Sequence, residues 1–238
     1  MTGLGTVINI AAVLAGGMAG IVLKRGIGER MRETMIAAIG TCVMFIGISG
    51  ALKEMIVVVG DGVVMNGTMM LICCFVVGTV VGEALDIDGG IARFGEWLKR
   101  RSGNQEDDRF MNAFLTASIT ICVGAMAIVG SVQDALRNDY SILFAKSALD
   151  GIFIMIMTAS FGKGAIYSAI PVGVFQGCVT LLAGVIEPIL TESALSSISL
   201  TGSLMIFLVG VNQVFDRRIR IANMLPALVV AVVWALCF

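Results

Sequence analysis

The chain reads as an all-α polytopic membrane protein, a bundle of about seven or eight transmembrane helices plus one interfacial amphipathic helix. Three observations predict this. Of the 238 residues, 58% are hydrophobic and 14% charged, with a mean hydropathy of +0.97; a soluble domain carries about 25% charged residues. Apolar runs near the ~20 residues that a helix needs to cross hydrocarbon recur along the chain. Basic residues crowd into alternate connections between those runs, the signature of loops held on one side of a bilayer.

The first apolar run covers residues 3–23. It has neither a basic start nor a small-residue cleavage end, so it reads as a span and not as a removable leader. A basic connection leads to the second run, 34–52, which stops at Lys53 and Glu54; a glycine-containing link through Asp61 leads to the third, 66–85. Residues 86–101 differ. Ile91, Phe94 and Leu98 recur at helical spacing, Arg93, Glu96, Lys99 and Arg100 lie mostly elsewhere on the wheel, and Trp97 suits the headgroup level. With the polar linker 102–108, this stretch (86–108) is expected as a cytoplasmic insertion in a single transmembrane domain, 1–238.

The fourth run spans 110–132, the fifth begins at 141 or 146 and ends at 161, the sixth spans 165–187 and the seventh 198–215. The last, 224–238, is short for a full crossing. With eight spans, thirteen of the sixteen basic residues fall in odd-numbered connections, which places both termini outside the cytoplasm of a bacterial inner membrane; with seven, only the C-terminus moves. Residues 40–47 (GTCVMFIG) echo 202–210 (GSLMIFLVG) on segments of opposite direction, the arrangement of an inverted repeat.

Composition removes several functions. Histidine is absent, and with it the commonest general base and metal ligand. The cysteines Cys42, Cys73, Cys74, Cys122, Cys178 and Cys237 all lie in apolar runs, so they read as small buried hydrophobes without a disulfide framework, and no CxxC offers a metal site. A net charge of −1 with scattered basic residues gives no nucleic-acid face. No HExxH, P-loop or GxSxG motif is present. The expectation is a protein that is not an enzyme, needs no cofactor or metal, and partners the lipid bilayer, a small solute or ion, and further copies of itself, a dimer being favoured.

The working centre is read in residues 110–177. An ionisable or amide side chain at membrane depth costs about 2.5–3.5 kcal/mol on insertion scales, so it turns to a protein interior or a wet cavity. Asp150 leads the expected binding set. Lys146 stands four residues before it, close enough to pair on one helix face. Gln133, Asp134, Gln176, Asn212 and Asn9 complete the set, with interfacial helix ends or interhelical glue as the competing readings. Gly130, Gly162, Gly164 and Pro171 are expected to break helices and serve as gates. Gly16/Gly20, Gly78/Gly82 and Gly173/Gly177 have the spacing that lets helix backbones approach, within one protomer or, for the first pair, across a dimer.

The blocks TVINIAAVLAGGMAGIVLKRGIGERMRETM, TASITICVGAMAIVGSVQDAL, DYSILFAKSALDG and IYSAIPVGVFQG resemble the bacterial YdfK/YqgA membrane proteins, domain of unknown function 554. The resemblance spans essentially the whole chain. It implies a polytopic inner-membrane protein and supplies no substrate; Lys163 departs from the more apolar residue expected between its glycines. The functional expectation is a secondary transporter or permease with a polar cavity between central broken helices. A passive ion channel and a non-transporting membrane scaffold are the alternatives.

Overall fold

The computed structural model describes residues 2–24, 28–60, 62–103, 109–122, 125–215 and 219–237. Arg25, Asp61, Asp216, Arg217, Arg218 and most of the predicted linker (104–108) lie outside the described residues. The elements are α1 (Leu4–Lys24), α2 (Glu29–Met55), β1 (Ile56–Val59), β2 (Gly62–Met65), α3 (Thr68–Leu85), α4 (Ile87–Arg101), α5 (Phe110–Cys122), α6 (Ala125–Arg137), α7 (Ser141–Phe161), α8 (Ala169–Leu181), α9 (Ala183–Ile186), α10 (Glu192–Phe215) and α11 (Pro226–Cys237).

Among the described residues, six helical stretches are long and apolar enough to cross a membrane: α1, α2 from Glu33, α3, α7, Lys163–Leu181 and α10. A helix rises about 1.5 Å per residue, so the 21 residues of α1 match a ~30 Å hydrocarbon layer. The expected fourth span is not one rod. It is α5 followed by α6, bent by 58°, which makes seven spans if the pair crosses once. At 12 residues α11 is short, as the sequence indicated.

The chain forms two compact units. In the first (Met1–Ala37 and Ile91–Glu187), α1 lies along α7, and α5, α6 and α8 pack around them. Gly16 meets the Gly151 backbone, and Gly20 the Met155 carbonyl and the Thr158 side chain, so both numbers rise together and the two helices run parallel. A side chain at either glycine would push the backbones apart. The face read as packing or dimer surface is therefore taken by α7 of the same chain. Gly164 rests on the Phe110 carbonyl, tying the 3-10 helix Lys163–Ser168 to the start of α5. Leu98 of α4 is buried with Phe110 and Phe114, while Trp97 stacks on Phe94 and faces outward.

In the second unit (Ala38–Gly90 and Pro188–Phe238), α3 and α11 run antiparallel: Gly78 meets Ala227 and Gly82 meets the Asn223 backbone. Met70, Cys74, Leu200, Ala227 and Ala231 form its apolar core. The echoing segments of α2 and α10 also pack antiparallel. Gly40 and Gly210 lie in mutual contact, and Gly47 meets the Phe207 backbone. Close approach by itself calls for glycine in both segments. Residues 56–65, expected as a plain link, form a hairpin in which Val57 pairs with Val64 and Val58 with Val63. Its β-branched run suits a strand.

Large apolar side chains cover the outside of both units, with Phe45 73% and Leu181 86% exposed. Contiguous apolar surface of this kind is a liability in water and neutral in lipid. The same logic corrects the cysteines: all six are free, but Cys42, Cys178 and Cys237 face outward, where a thiol among lipid tails needs no burial.

Candidate functional site

The first unit gathers the polar side chains. Asp150 sits on the buried face of α7, 7% exposed, and Lys146, one turn earlier and equally buried, forms an ion pair with its Oδ2. The Asn9 amide of α1, fully buried, donates to the same oxygen at 3.0 Å. Lys146 Nζ also donates to the Ile121 carbonyl near the end of α5 at 2.8 Å. This one ion pair thus ties α1, α5 and α7 together. Its charges cancel, and each charged group has a hydrogen-bonding partner, the condition under which a buried pair is tolerated. Ser147, buried beside them, donates to the Leu143 carbonyl at 2.6 Å.

Asp134 of α6 is a separate centre. Fully buried, it accepts the Gly5 N–H through Oδ2 at 2.9 Å, capping the first turn of α1 from another helix. Its Oδ1 has no hydrogen-bond partner, and no cationic side chain pairs with it among the described residues.

Gln176 of α8 is 1% exposed, and neither amide atom has a partner. Its height follows from two contacts. Gly3 faces Thr180 and Gly173 faces Ile10, so α1 and α8 run antiparallel at this end. Thr6 is one turn from Ile10 on the same face of α1, and Gln176 lies three residues from Gly173 and four from Thr180 on α8. Thr6 and Gln176 therefore occupy the same level, between the two contacts. The hydroxyls of Thr6 and Thr180 are buried and unpartnered as well. Thr6 and Thr180 escaped the sequence reading because threonine passes unnoticed in apolar runs; the available signal was their one-turn spacing from Ile10 and from Gln176.

The remaining expected residues do not join this set. Gln133 is half-buried, about 100° around α6 from Asp134, and its carbonyl accepts the Asp139 N–H to close the following turn. Asn212 belongs to the second unit, where its side chain both donates to the Ile219 carbonyl (2.9 Å) and accepts the Ile219 N–H (3.0 Å), folding the chain back after α10. Two of the four expected helix breaks, Gly130 and Pro171, are corrected. Gly130 lies inside α6, tight against Leu143 and Ile142. Gly164 does lie in the interruption, within the 3-10 helix Lys163–Ser168 that separates α7 from α8, and is also held tightly against the Phe110 backbone. Pro171 lies in the first turn of α8, where most N–H groups have no helical partner to lose. Gly162 does end α7, with φ at +114°. Lys163 next to it is exposed. Gly173 packs on Ile10, but Gly177 has open space where the GxxxG reading put a helix.

Two groups outside the spans have shifted acidities. Asp139, before α7, accepts both the hydroxyl and the N–H of Ser141, which holds its carboxyl below the usual range. Burial pushes Asp88 of α4 up, against the opposing pull of Arg220.

Lipid-facing apolar helices around buried, hydrogen-bonded charges define the class: a polytopic helical membrane protein. Comparison with known proteins places it further. The chain belongs to the family described as "Protein of unknown function (DUF554)", whose profile matches residues 4–236. It is 24% identical over 226 residues to the "Uncharacterized membrane protein YdfK" of Bacillus subtilis (strain 168), covering 95% of this chain and 93% of that one. It is 26% identical over 232 residues to the "Uncharacterized protein YqgA" of Escherichia coli (strain K12), covering 96% and 94%. No solved structure matches the chain.

Proposed function

We propose that this protein is a secondary carrier for a small solute or ion, working through the polar interior of the first unit. The observation that carries the reading is the company of Asp150. A helical scaffold in lipid needs no charge in its core, and a hydrophobic replacement of a buried pair is often neutral or stabilising. Here three helices converge on one pair, and in the same unit the buried amide of Gln176 and the hydroxyls of Thr6 and Thr180 have no protein partners. An ionisable side chain in a membrane interior marks a substrate or ion route by default. Lys146 competes for the Asp150 carboxylate, so in this reading an entering solute or proton must displace an ammonium, which couples occupancy to helix position. Gly162, which ends α7, is in this reading the point about which α7 moves.

Flux measurements test this. Reconstituted full-length protein is screened for uptake of small solutes and ions against empty vesicles. Asp150→Asn is expected to abolish or strongly slow whatever flux is found. An Asp150→Asn variant that folds and transports as well as the parent refutes the role of the pair. Single-channel conductance without saturation would replace the carrier by a channel.

A further inference from the structure

The buried charges of the first unit do not sum to zero. Lys146 and Asp150 cancel, and Asp134 is left over, fully buried and without an ion-pair partner among the described residues; Arg137, three residues on along α6, pairs instead with Glu187 at 3.7 Å. A single N–H donor and the end of a helix dipole compensate it only in part, the dipole being equivalent to roughly half a charge. A carboxylate in that setting suits a cation, and the oxygens at its level suit a hard one. At or next to its level lie the unpartnered oxygens Thr6 Oγ1, Gln176 Oε1 and Thr180 Oγ1, with Asp134 Oδ1 itself free. Hard cations take oxygen ligands, and a single carboxylate balances one positive charge, whereas a divalent ion would leave an excess.

We infer that Asp134, with the oxygens of Thr6, Gln176 and Thr180, binds one monovalent alkali cation between α1, α6 and α8. The inference names the ion class for the carrier reading above and rests on that reading. It moves the ion from Asp150, whose carboxylate is already occupied by Lys146 and Asn9, to Asp134. Binding there also joins α6, α1 and α8, since Asp134 holds the first turn of α1 and the threonines and Gln176 line the neighbouring faces.

The test is equilibrium binding to the purified full-length protein in detergent. Sodium, potassium and lithium chloride are titrated at constant ionic strength against choline chloride, with thermal unfolding as readout. The expected result is a saturable rise in Tm with at least one alkali cation, absent with choline. Asp134→Asn should abolish it, and Gln176→Ala or Thr180→Val should weaken the apparent affinity by about tenfold, the equivalent of losing roughly one charge-assisted contact. Should Asp134→Asn fail to fold, the Gln176 and Thr180 variants decide alone. A parent protein indifferent to all three cations overturns the inference. So does a shift that survives Asp134→Asn, or a set of Gln176 and Thr180 variants that bind as the parent does. Alkali-cation binding without any flux would refute the carrier reading alone, and flux of another solute without such binding would refute this inference alone.

Discussion

Removing one partner of the Lys146–Asp150 pair should be far worse than removing both. In Asp150→Asn the ammonium of Lys146 keeps its Ile121 contact but loses its counter-charge in a site where it is 7% exposed. Breaking a buried pair in this way costs about 3–5 kcal/mol, because the survivor is an uncompensated charge. For a chain of this length each kcal/mol moves Tm by about 2–4 °C, so the loss is roughly 6–20 °C. Lys146→Met should lose a similar amount by stranding the carboxylate, although the Asn9 amide still donates to it. The double variant Lys146→Met/Asp150→Asn buries no charge at this site and retains an amide opposite Asn9; it should lie within about 1.5 kcal/mol of the parent. Thermal melts of the four proteins in one detergent measure the cycle. Additive losses, with the double variant the least stable, would refute the view that these two groups compensate each other inside the membrane.

Two further outcomes follow from the packing and the surface. Gly16→Ala places a methyl on the Gly151 carbonyl, which cannot yield without parting α1 from α7; overpacking of about 1–3 kcal/mol outweighs the ~1 kcal/mol gain in helix propensity, so Tm should fall. Gly177→Ala enters open space and should hold or raise Tm, and equal losses at both positions would sink the α1–α7 contact as described. Asp139 gives a pH dependence of definite sign. Its folded acidity is shifted down from the ordinary 3.8, so its contribution is full above that value and disappears as pH falls through the folded value. The Tm difference between the parent and Asp139→Asn should therefore be constant near neutrality and shrink in acid; a difference that grows in acid would contradict the Ser141 contacts.

Much of the fold was legible because lipid imposes a one-dimensional rule: backbone polar groups must be satisfied within the segment, so long apolar runs must be helices. That rule places α1, α2, α3, α7 and α10 within a few residues of where composition alone puts them, and heptad-like spacing finds α4 with its buried Leu98. It also pairs Lys146 with Asp150, since four residues on a helix is a local distance. What it could not see was every distance between helices. That Asn9 completes the Asp150 site, 141 residues away, follows from the parallel packing of α1 on α7. Asp134 and Gly5 are separated by 129 residues, and only α6 packed beside α1 turns an interfacial-looking acid into a buried cap. Asn212, equally polar in sequence, is spent on a turn because its neighbour in space is Ile219. The identity of the membrane helices is set by transfer of each segment into hydrocarbon, a sum over local residues. Which of their few polar atoms meet, and which are left without a partner, is set by close contacts between backbones at glycine, and those exist only once the helices are packed.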